Sequence, residues 1–292
     1  MQSADRCSRV GCVALREQGG LLAATAVEED HSGGVLCALT LPEDAMDAVC
    51  SHIVSLPFEP SSSPNDGAVD AHGRCASHLV VGPPPALMNP FCSLWVGSKT
   101  LLPHGAYRND SAGLPSPDPC APAPAGRLLV VEGAAARRCD EAGAVTVSNG
   151  IGWSLDSSKM YYVDSPSRCV FVFDYEVATG NARSKRLFAD VSSLAGDAVP
   201  DGLAVDVEGG VWVAMWDGSQ VLRLGSSGEL LRRVTLPVSR PTSVAFGRGT
   251  ELYITTCSFD AGDPAPLQEP LAGSIFVVDA GVAGAPVARC RV

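Results

Sequence analysis

The sequence predicts an all-β fold assembled from repeated four-stranded units, a β-propeller, and three observations carry that prediction. One hairpin-like pattern recurs along the chain. Within each copy, apolar and polar residues alternate on both sides of a Gly/Ser/Asp turn, which is the period of a strand and not of a helix. The composition, with 30 Gly, 22 Pro and few Lys, suits short strands and many turns.

The copies can be taken in order of clarity. Asp201-Gly202-Leu203-Ala204-Val205-Asp206 turns at Gly209-Gly210 into Val211-Trp212-Val213-Ala214. Asn149-Gly150-Ile151-Gly152-Trp153-Ser154 turns after Asp156 into Met160-Tyr161-Tyr162-Val163, and Thr242-Ser243-Val244-Ala245-Phe246 turns after Gly249 into Leu252-Tyr253-Ile254-Thr255. Asn65-Asp66-Gly67-Ala68-Val69-Asp70 leads to Gly73, and a weaker copy starts at Gly11 and turns at Gly19-Gly20. Further alternating stretches follow, such as 170–173 and 220–224. Four strands per unit, at a spacing of roughly 40–50 residues, is the sequence signature of propeller blades.

Two insertions explain the wide gap between the copies at Asn65 and Asn149. The first spans 75–93, inside a blade. The second, 98–126, is rich in Pro and Ala and reads as an irregular loop. Strand direction puts 75–93 on the face opposite the copy starts and 98–126 on the same face, so only the second can cover a site there. The whole chain, 1–292, is expected to form one propeller domain.

Charge narrows the partners. A formal net charge of -11 and a pI near 4.8 oppose binding to nucleic acid or to anionic membrane surfaces, which need clustered Lys and Arg. No apolar run reaches the ~18 residues of a membrane span. Asp5, Arg6 and Arg9 precede any apolar stretch, so no secretory signal is read at the N-terminus. The 11 cysteines are odd in number, lack a Cys-x-x-Cys pair and show no framework spacing; they read as free thiols of a reducing compartment, and the cytoplasm is the expected location. The sequon at Asn109-Asp110-Ser111 is accordingly expected to be idle.

The first residues of innermost strands encircle a propeller's central channel, so Gly11, Asn65, Asn149, Asp201 and Thr242 are expected to converge. Three of them carry amide or carboxylate oxygens, the donors a hard divalent cation such as Ca²⁺ prefers. None of His31, His52, His72, His78 and His104 stands at a copy start, which argues against a His-rich zinc site. Asn-Gly and Asp-Gly are also ordinary turn sequences. Their shared register across copies favours the site over the turn. Trp95, Trp153 and Trp212 read as packing residues, and Asp70 and Asp206, at equivalent positions, as turn stabilisers.

Taken together these blocks resemble the gluconolactonase, regucalcin (senescence marker protein) and luciferin-regenerating enzyme family. The matching segments are Asn65-Asp66-Gly67 with Asp70 and Gly73-Arg74; Ser148-Asn149-Gly150 with Trp153-Ser154 and Tyr162-Val163-Asp164-Ser165; and Pro200-Asp201-Gly202 with Asp206, Gly209 and Trp212-Val213-Ala214. Pro241-Thr242-Ser243-Val244-Ala245-Phe246-Gly247 and Gly273-Ser274-Ile275-Phe276 also fit. The resemblance implies a six-bladed propeller with one divalent cation, Ca²⁺ first and Zn²⁺, Mg²⁺ or Mn²⁺ as alternatives. It also implies hydrolysis of a small-molecule sugar lactone. It assigns Asn149 and Asp201 to the metal, Asp201 also to proton transfer, and Asn65, with Asp66 beside it, to the substrate.

Three departures bear on activity. The family's metal-binding Glu belongs to a first blade ahead of the copy at Gly11, and no matching segment is present here; Glu17, Glu28 and Glu29 do not fit it. Ser63 stands where a substrate-binding Arg is usual, and 98–126 contains no Glu where the family places a substrate contact, with Arg108 as a stand-in that no motif supports. The expectation is five recognisable blades plus an incomplete sixth, and an impaired metal-dependent lactonase. The alternative is a non-catalytic propeller that binds a cation or another protein.

Overall fold

A computed structural model describes residues 7–15, 21–27, 34–40, 49–56, 62–70, 94–100, 107–109, 115–117, 126–132, 135–143, 145–258 and 269–286. The insertion 75–93, the side chains of Asp66 and Arg108, the five histidines' side chains, and Glu17, Glu28 and Glu29 lie outside the described residues.

The described strands form radial antiparallel sheets, each wound from the inside outwards. The first sheet is β1 (Cys7–Leu15), β2 (Leu21–Val27), β3 (Gly34–Thr40) and β4 (Val49–Leu56). The second runs from β5 (Ser62–Val69) through β6 (Leu94–Thr100) to β9 (Leu128–Glu132) and β10 (Ala135–Arg138), after a two-stranded excursion of β7 (Tyr107–Asn109) with β8 (Pro115–Pro117). The third is β11 (Ser148–Trp153), β12 (Lys159–Asp164), β13 (Cys169–Glu176) and β14 (Asn181–Asp190). The fourth is β15 (Val199–Val205), β16 (Val211–Trp216), β17 (Gln220–Leu224) and β18 (Leu230–Thr235). The last has three described strands, β19 (Pro241–Phe246), β20 (Glu251–Thr256) and β21 (Ile275–Asp279).

Helix is confined, among the described residues, to one turn at Ser192–Ala195 and two 3-10 turns at Asp140–Ala142 and Ser165–Ser167. The innermost strands pack in sequence, β1 on β5, β5 on β11, β11 on β15 and β15 on β19. This is the architecture of propeller blades, with all five copies from the sequence serving as innermost strands. The segment 98–126 is less irregular than its composition suggests. Its first three residues complete β6, where Ser62 pairs with Thr100, and β7 pairs with β8.

Alternation explains how the blades stick together. In β12, Tyr161 and Val163 enter a core shared with Leu203, Val213 and Leu222 of the fourth sheet. Their neighbours Met160 and Tyr162 enter a different core, shared with Leu128 and Val130 of the second. Trp212 likewise faces Val244, Leu252 and Ile254 of the fifth sheet, while Val211 and Val213 face the third. β12 and β16 are therefore apolar on both faces, because each face meets another blade. Trp153 and Trp212 are core residues, as their surroundings in the sequence suggest.

Asp206 anchors the turn that starts the fourth blade's second strand. Buried completely, it accepts hydrogen bonds from the backbone of Glu208 (2.9 Å) and Gly210 (2.8 Å), from Trp212 Nε1 (2.8 Å) and from Arg223 Nε (2.8 Å). Burial works against its charge, but the Arg223 and Trp212 donors and the turn amides outweigh it and hold the carboxyl below the usual range. Asp70, at the equivalent position, is buried and accepts from Tyr175 Oη at 3.0 Å, so it also ties the second blade to the third.

Candidate metal centre

All five copy-start residues sit in the same structural feature. Antiparallel pairing slips by a residue between Val10 and Cys12, between Pro64 and Gly67, between Ser148 and Ile151, between Pro200 and Leu203, and between Pro241 and Ser243. Gly11, Asn65, Asn149, Asp201 and Thr242 thus each occupy a β-bulge in an innermost strand. They are not the first residues of their strands, as the sequence pattern suggested, but lie one to four residues inside them. A bulge breaks the ladder and re-aims a side chain, which is how a strand buried on both faces can present a polar group at its end.

The glycines that follow let the blades close up. A Cβ on Gly150 would fall 2.7 Å from Asp201 O and 2.7 Å from Leu203 N, so the Asn149 bulge rests directly on the Asp201 bulge. A Cβ on Gly202 would run into the Ser243 side chain and its Cα at 2.8 Å. Asn-Gly and Asp-Gly are therefore inter-blade contacts here, in which Gly is demanded by close approach and not by a turn.

Two of the predicted residues, Asn65 and Asn149, are joined directly, and the backbone of the third, Asp201, lies against the Asn149 bulge. Asn65 Nδ2 donates to Ser148 O at 2.6 Å and to Asn149 Oδ1 at 3.3 Å; Asn149 Nδ2 donates to Ser165 Oγ at 2.7 Å. Asn149 is buried and Asp201 half-buried on the neighbouring bulge. The consequence is chemical. Both amide nitrogens donate to protein acceptors, and the Asn65 oxygen and the Asn149 oxygen, which accepts from Asn65, keep lone pairs for a ligand. Oxygens of this kind are the donors a hard cation prefers, and Asp201, on the neighbouring bulge, is the carboxylate that the sequence pattern assigns to the same set. It brings a single formal charge. Among the described residues no three His, Cys, Asp or Glu side chains group closely enough to hold a metal.

Sequence reasoning gave no role to the residues that hold this arrangement. Tyr162 Oη donates to Ser148 Oγ at 2.9 Å, and Asp164 accepts from the backbone N–H of Val147 at 2.8 Å and of Thr146 at 3.2 Å. Ser165 N donates to Val147 O at 3.0 Å. Burial pushes the Asp164 carboxyl up, although the two backbone donors oppose it. The available signal was hairpin arithmetic: pairing of β11 with β12 sets Ser148 opposite Asp164. The turn Ser165–Ser167 also packs against β15 and against β8, so part of the 98–126 segment runs beside the residues that hold Asn149.

Residues 87–258 match the SMP-30/Gluconolactonase/LRE-like region. Regucalcin of Sus scrofa is 42% identical over 147 residues, covering 49% of this chain and 48% of the relative. Regucalcin of Homo sapiens is 41% identical over 145 residues, 48% of each chain, and L-arabinolactonase of Azospirillum brasilense is 39% identical over 143 residues, 49% and 47%. The chain spans about half the length of the curated relatives it matches. In structure it is similar to a luciferin-regenerating enzyme (TM-score 0.74, 24% identity, 97% of this chain and 82% of the other). It is also similar to a calcium-binding regucalcin of Agrobacterium tumefaciens (TM-score 0.68, 20% identity, 97% and 79%). At those identities the likeness establishes the fold alone, the β-propeller of this family's six-bladed structures, with five blades among the described residues of this chain.

Proposed function

Because the chain belongs to the SMP-30/gluconolactonase/LRE-like family, we propose that it is a divalent-cation-dependent lactone hydrolase of reduced activity, with Asn149 and Asp201 as protein ligands of the cation. The observation that carries this reading is the hydrogen bonding of both amide nitrogens, which leaves amide oxygens of the Asn65–Asn149 pair as donors, with the Asn149 bulge resting on that of Asp201.

Asn149 Oδ1 and the Asp201 carboxylate would hold the ion, Ca²⁺ by donor hardness, with Zn²⁺, Mg²⁺ or Mn²⁺ as competitors. When bound, such an ion supplies polarisation of the lactone carbonyl. Asp201 accepts a proton as water adds to the acyl carbon; the ring C–O bond breaks, and the proton passes to the departing ring oxygen to give a hydroxy acid. Asn65, with Asp66 adjacent, orients the sugar hydroxyls. Polyhydroxylated lactones are the substrate class, supported by the L-arabinolactonase among the relatives. The 98–126 segment is proposed to cover this face, since β8 runs beside the turn Ser165–Ser167.

Among the described residues Asp201 brings the one carboxylate assigned to the ion, and a single charge leaves a doubly positive ion under-compensated, which is the ground for reduced affinity and turnover. The same observation favours a second reading, a propeller that binds a cation without catalysis. A cytosolic setting is proposed from the cysteine spacing, in keeping with which Cys139 and Cys169 are free thiols. Hydrolysis of gluconolactone across a Ca²⁺ titration, on the full chain and on Asp201→Asn, tests the proposal. Weak, Ca²⁺-dependent turnover that falls at least ~100-fold in the variant supports it. Turnover independent of both Ca²⁺ and Asp201 overturns it, and Ca²⁺ binding without turnover selects the second reading.

A further inference from the structure

We propose that Asp164 and Ser165 form a positioning pair that fixes which way the Asn149 amide faces, and so makes its oxygen the atom presented to a cation. This rests on the reading of Asn149 as a cation ligand. Neither residue is itself a ligand; they act through Asn149.

An asparagine amide is nearly symmetrical in shape, and its two ends differ only in hydrogen-bonding sense. A cation site needs the oxygen outward, so something must capture the nitrogen. Ser165 Oγ does so at 2.7 Å in a buried setting, where an unpaired NH₂ would be costly. The Asn65 donor on Asn149 Oδ1 enforces the same orientation from the other end.

Ser165 can do this only if its backbone is held beside β11. Its own N–H binds Val147 O, and the preceding Asp164 carboxylate takes the Val147 and Thr146 amides. Two consecutive residues entering the Asn149 bulge, Thr146 and Val147, are thus tied to Asp164 and Ser165 at the end of β12, and Tyr162 holds the next residue, Ser148. The free groups of a bulge are what such ties satisfy. Outer residues that orient a metal ligand commonly carry a large share of a site's affinity.

The test uses the full ¹⁵N-labelled chain, with the Asn149 side-chain NH₂ signals assigned by their loss in Asn149→Ser. In the cation-free protein, Ser165→Ala is expected to speed solvent exchange of that NH₂ by about 3- to 10-fold, the factor a net hydrogen bond of this kind represents. Ser165→Thr, which keeps the hydroxyl, restores it. Should Ser165→Ala fold poorly, Ser165→Cys, isosteric with a weak acceptor, gives the same comparison. A Ca²⁺ titration read on the same signals is expected to show affinity reduced about 10- to 100-fold in Ser165→Ala and recovered in Ser165→Thr. Equal exchange in the wild type and Ser165→Ala overturns the positioning pair whatever Ca²⁺ does. Altered exchange with no response of the wild-type Asn149 amide to Ca²⁺ supports the pair and overturns the cation reading.

Discussion

The Asn65 side-chain nitrogen reaches the Asn149 side-chain oxygen at 3.3 Å across 84 residues of chain, from one blade to the next. The same nitrogen reaches Ser148 O at 2.6 Å, so one amide bridges the two bulges through both of its hydrogens. Asn65→Ala should remove both bonds and leave Ser148 O without that donor. A stability loss of about 1–2 kcal/mol is expected in urea denaturation. Where turnover is measurable, the rise should fall on KM for the lactone more than on kcat, since Asn65 is assigned to sugar orientation. An unchanged denaturation midpoint would show that the bridge contributes nothing.

The glycines after the bulge residues yield a prediction with an internal control. Gly150→Ala places a methyl against Asp201 O and Leu203 N, both backbone, whereas Gly202→Ala places it chiefly against the Ser243 side chain. Each should destabilise by about 1–3 kcal/mol, as overpacking does. Adding Ser243→Gly should recover part of the loss in Gly202→Ala and none in Gly150→Ala. Thermal denaturation of the four variants decides it, and equal recovery in both would mean the blades are not in contact at these bulges.

Asp206 sets the direction of an acid dependence. Its folded-state carboxyl lies below the ordinary value, with burial opposing the charge and the Arg223, Trp212 and turn donors prevailing. Its stabilisation is therefore fully present above the unfolded value of about 3.9 and is lost as pH falls through the lower folded value. Asp206→Asn removes the ion pair with Arg223 and should cost about 3 kcal/mol at pH 7, the scale for breaking a buried pair from one side. The gap between the two proteins should stay constant down to about pH 4 and narrow below it. A gap that instead widens under acid would mean that Asp206 is protonated more readily in the fold than in the unfolded chain.

Much of this was legible in the sequence because blade residues obey local rules. Alternation in Met160-Tyr161-Tyr162-Val163 and in Val211-Trp212-Val213-Ala214 is what two buried faces require, and the Asp-x-x-Gly spacing at Asp206 and Gly209 is what a tight turn requires. The copy starts were also legible, through register alone. What was not legible is how they are held. Ser165 looks like any polar residue after a strand, and its acceptor role depends on a hairpin whose bulge shifts the pairing between Ser148 and Ile151. The close approach that demands glycine at Gly150 and Gly202 is to another blade, which no local pattern reveals. The β7–β8 pair within 98–126 was hidden for a related reason: it is made by Tyr107–Asn109 with Pro115–Pro117, and proline-rich composition masks it.

The last prediction concerns charge at the bulges. Asp201 contributes a single carboxylate to the bulge residues, and Thr242 occupies the corresponding bulge of the next blade, whose Ser243 meets Gly202. Its hydroxyl is 2.7 Å from that of Thr255 and is half-buried, so the position accepts a polar group without a core to disrupt. Thr242→Asp should place a second carboxylate beside Asp201. Two like charges at close range disfavour each other's ionised forms, so without cation the variant should be less stable than the wild type, and increasingly so as pH rises through the carboxylate range. Ca²⁺ should reverse the order, because an ion that binds only the folded state stabilises it by RT ln(1 + [L]/Kd), about 2.7 kcal/mol at 100 times Kd. The expected outcome is a Ca²⁺ affinity at least ~10-fold above that of the unaltered chain, with a matching rise in melting temperature that Asp201→Asn cancels. Melting curves at several Ca²⁺ concentrations, with NaCl of matched ionic strength as the control, read both effects. If Thr242→Asp lowers stability equally with and without Ca²⁺, the two bulges do not face a common ion, and the assignment of Asp201 to a metal centre is wrong.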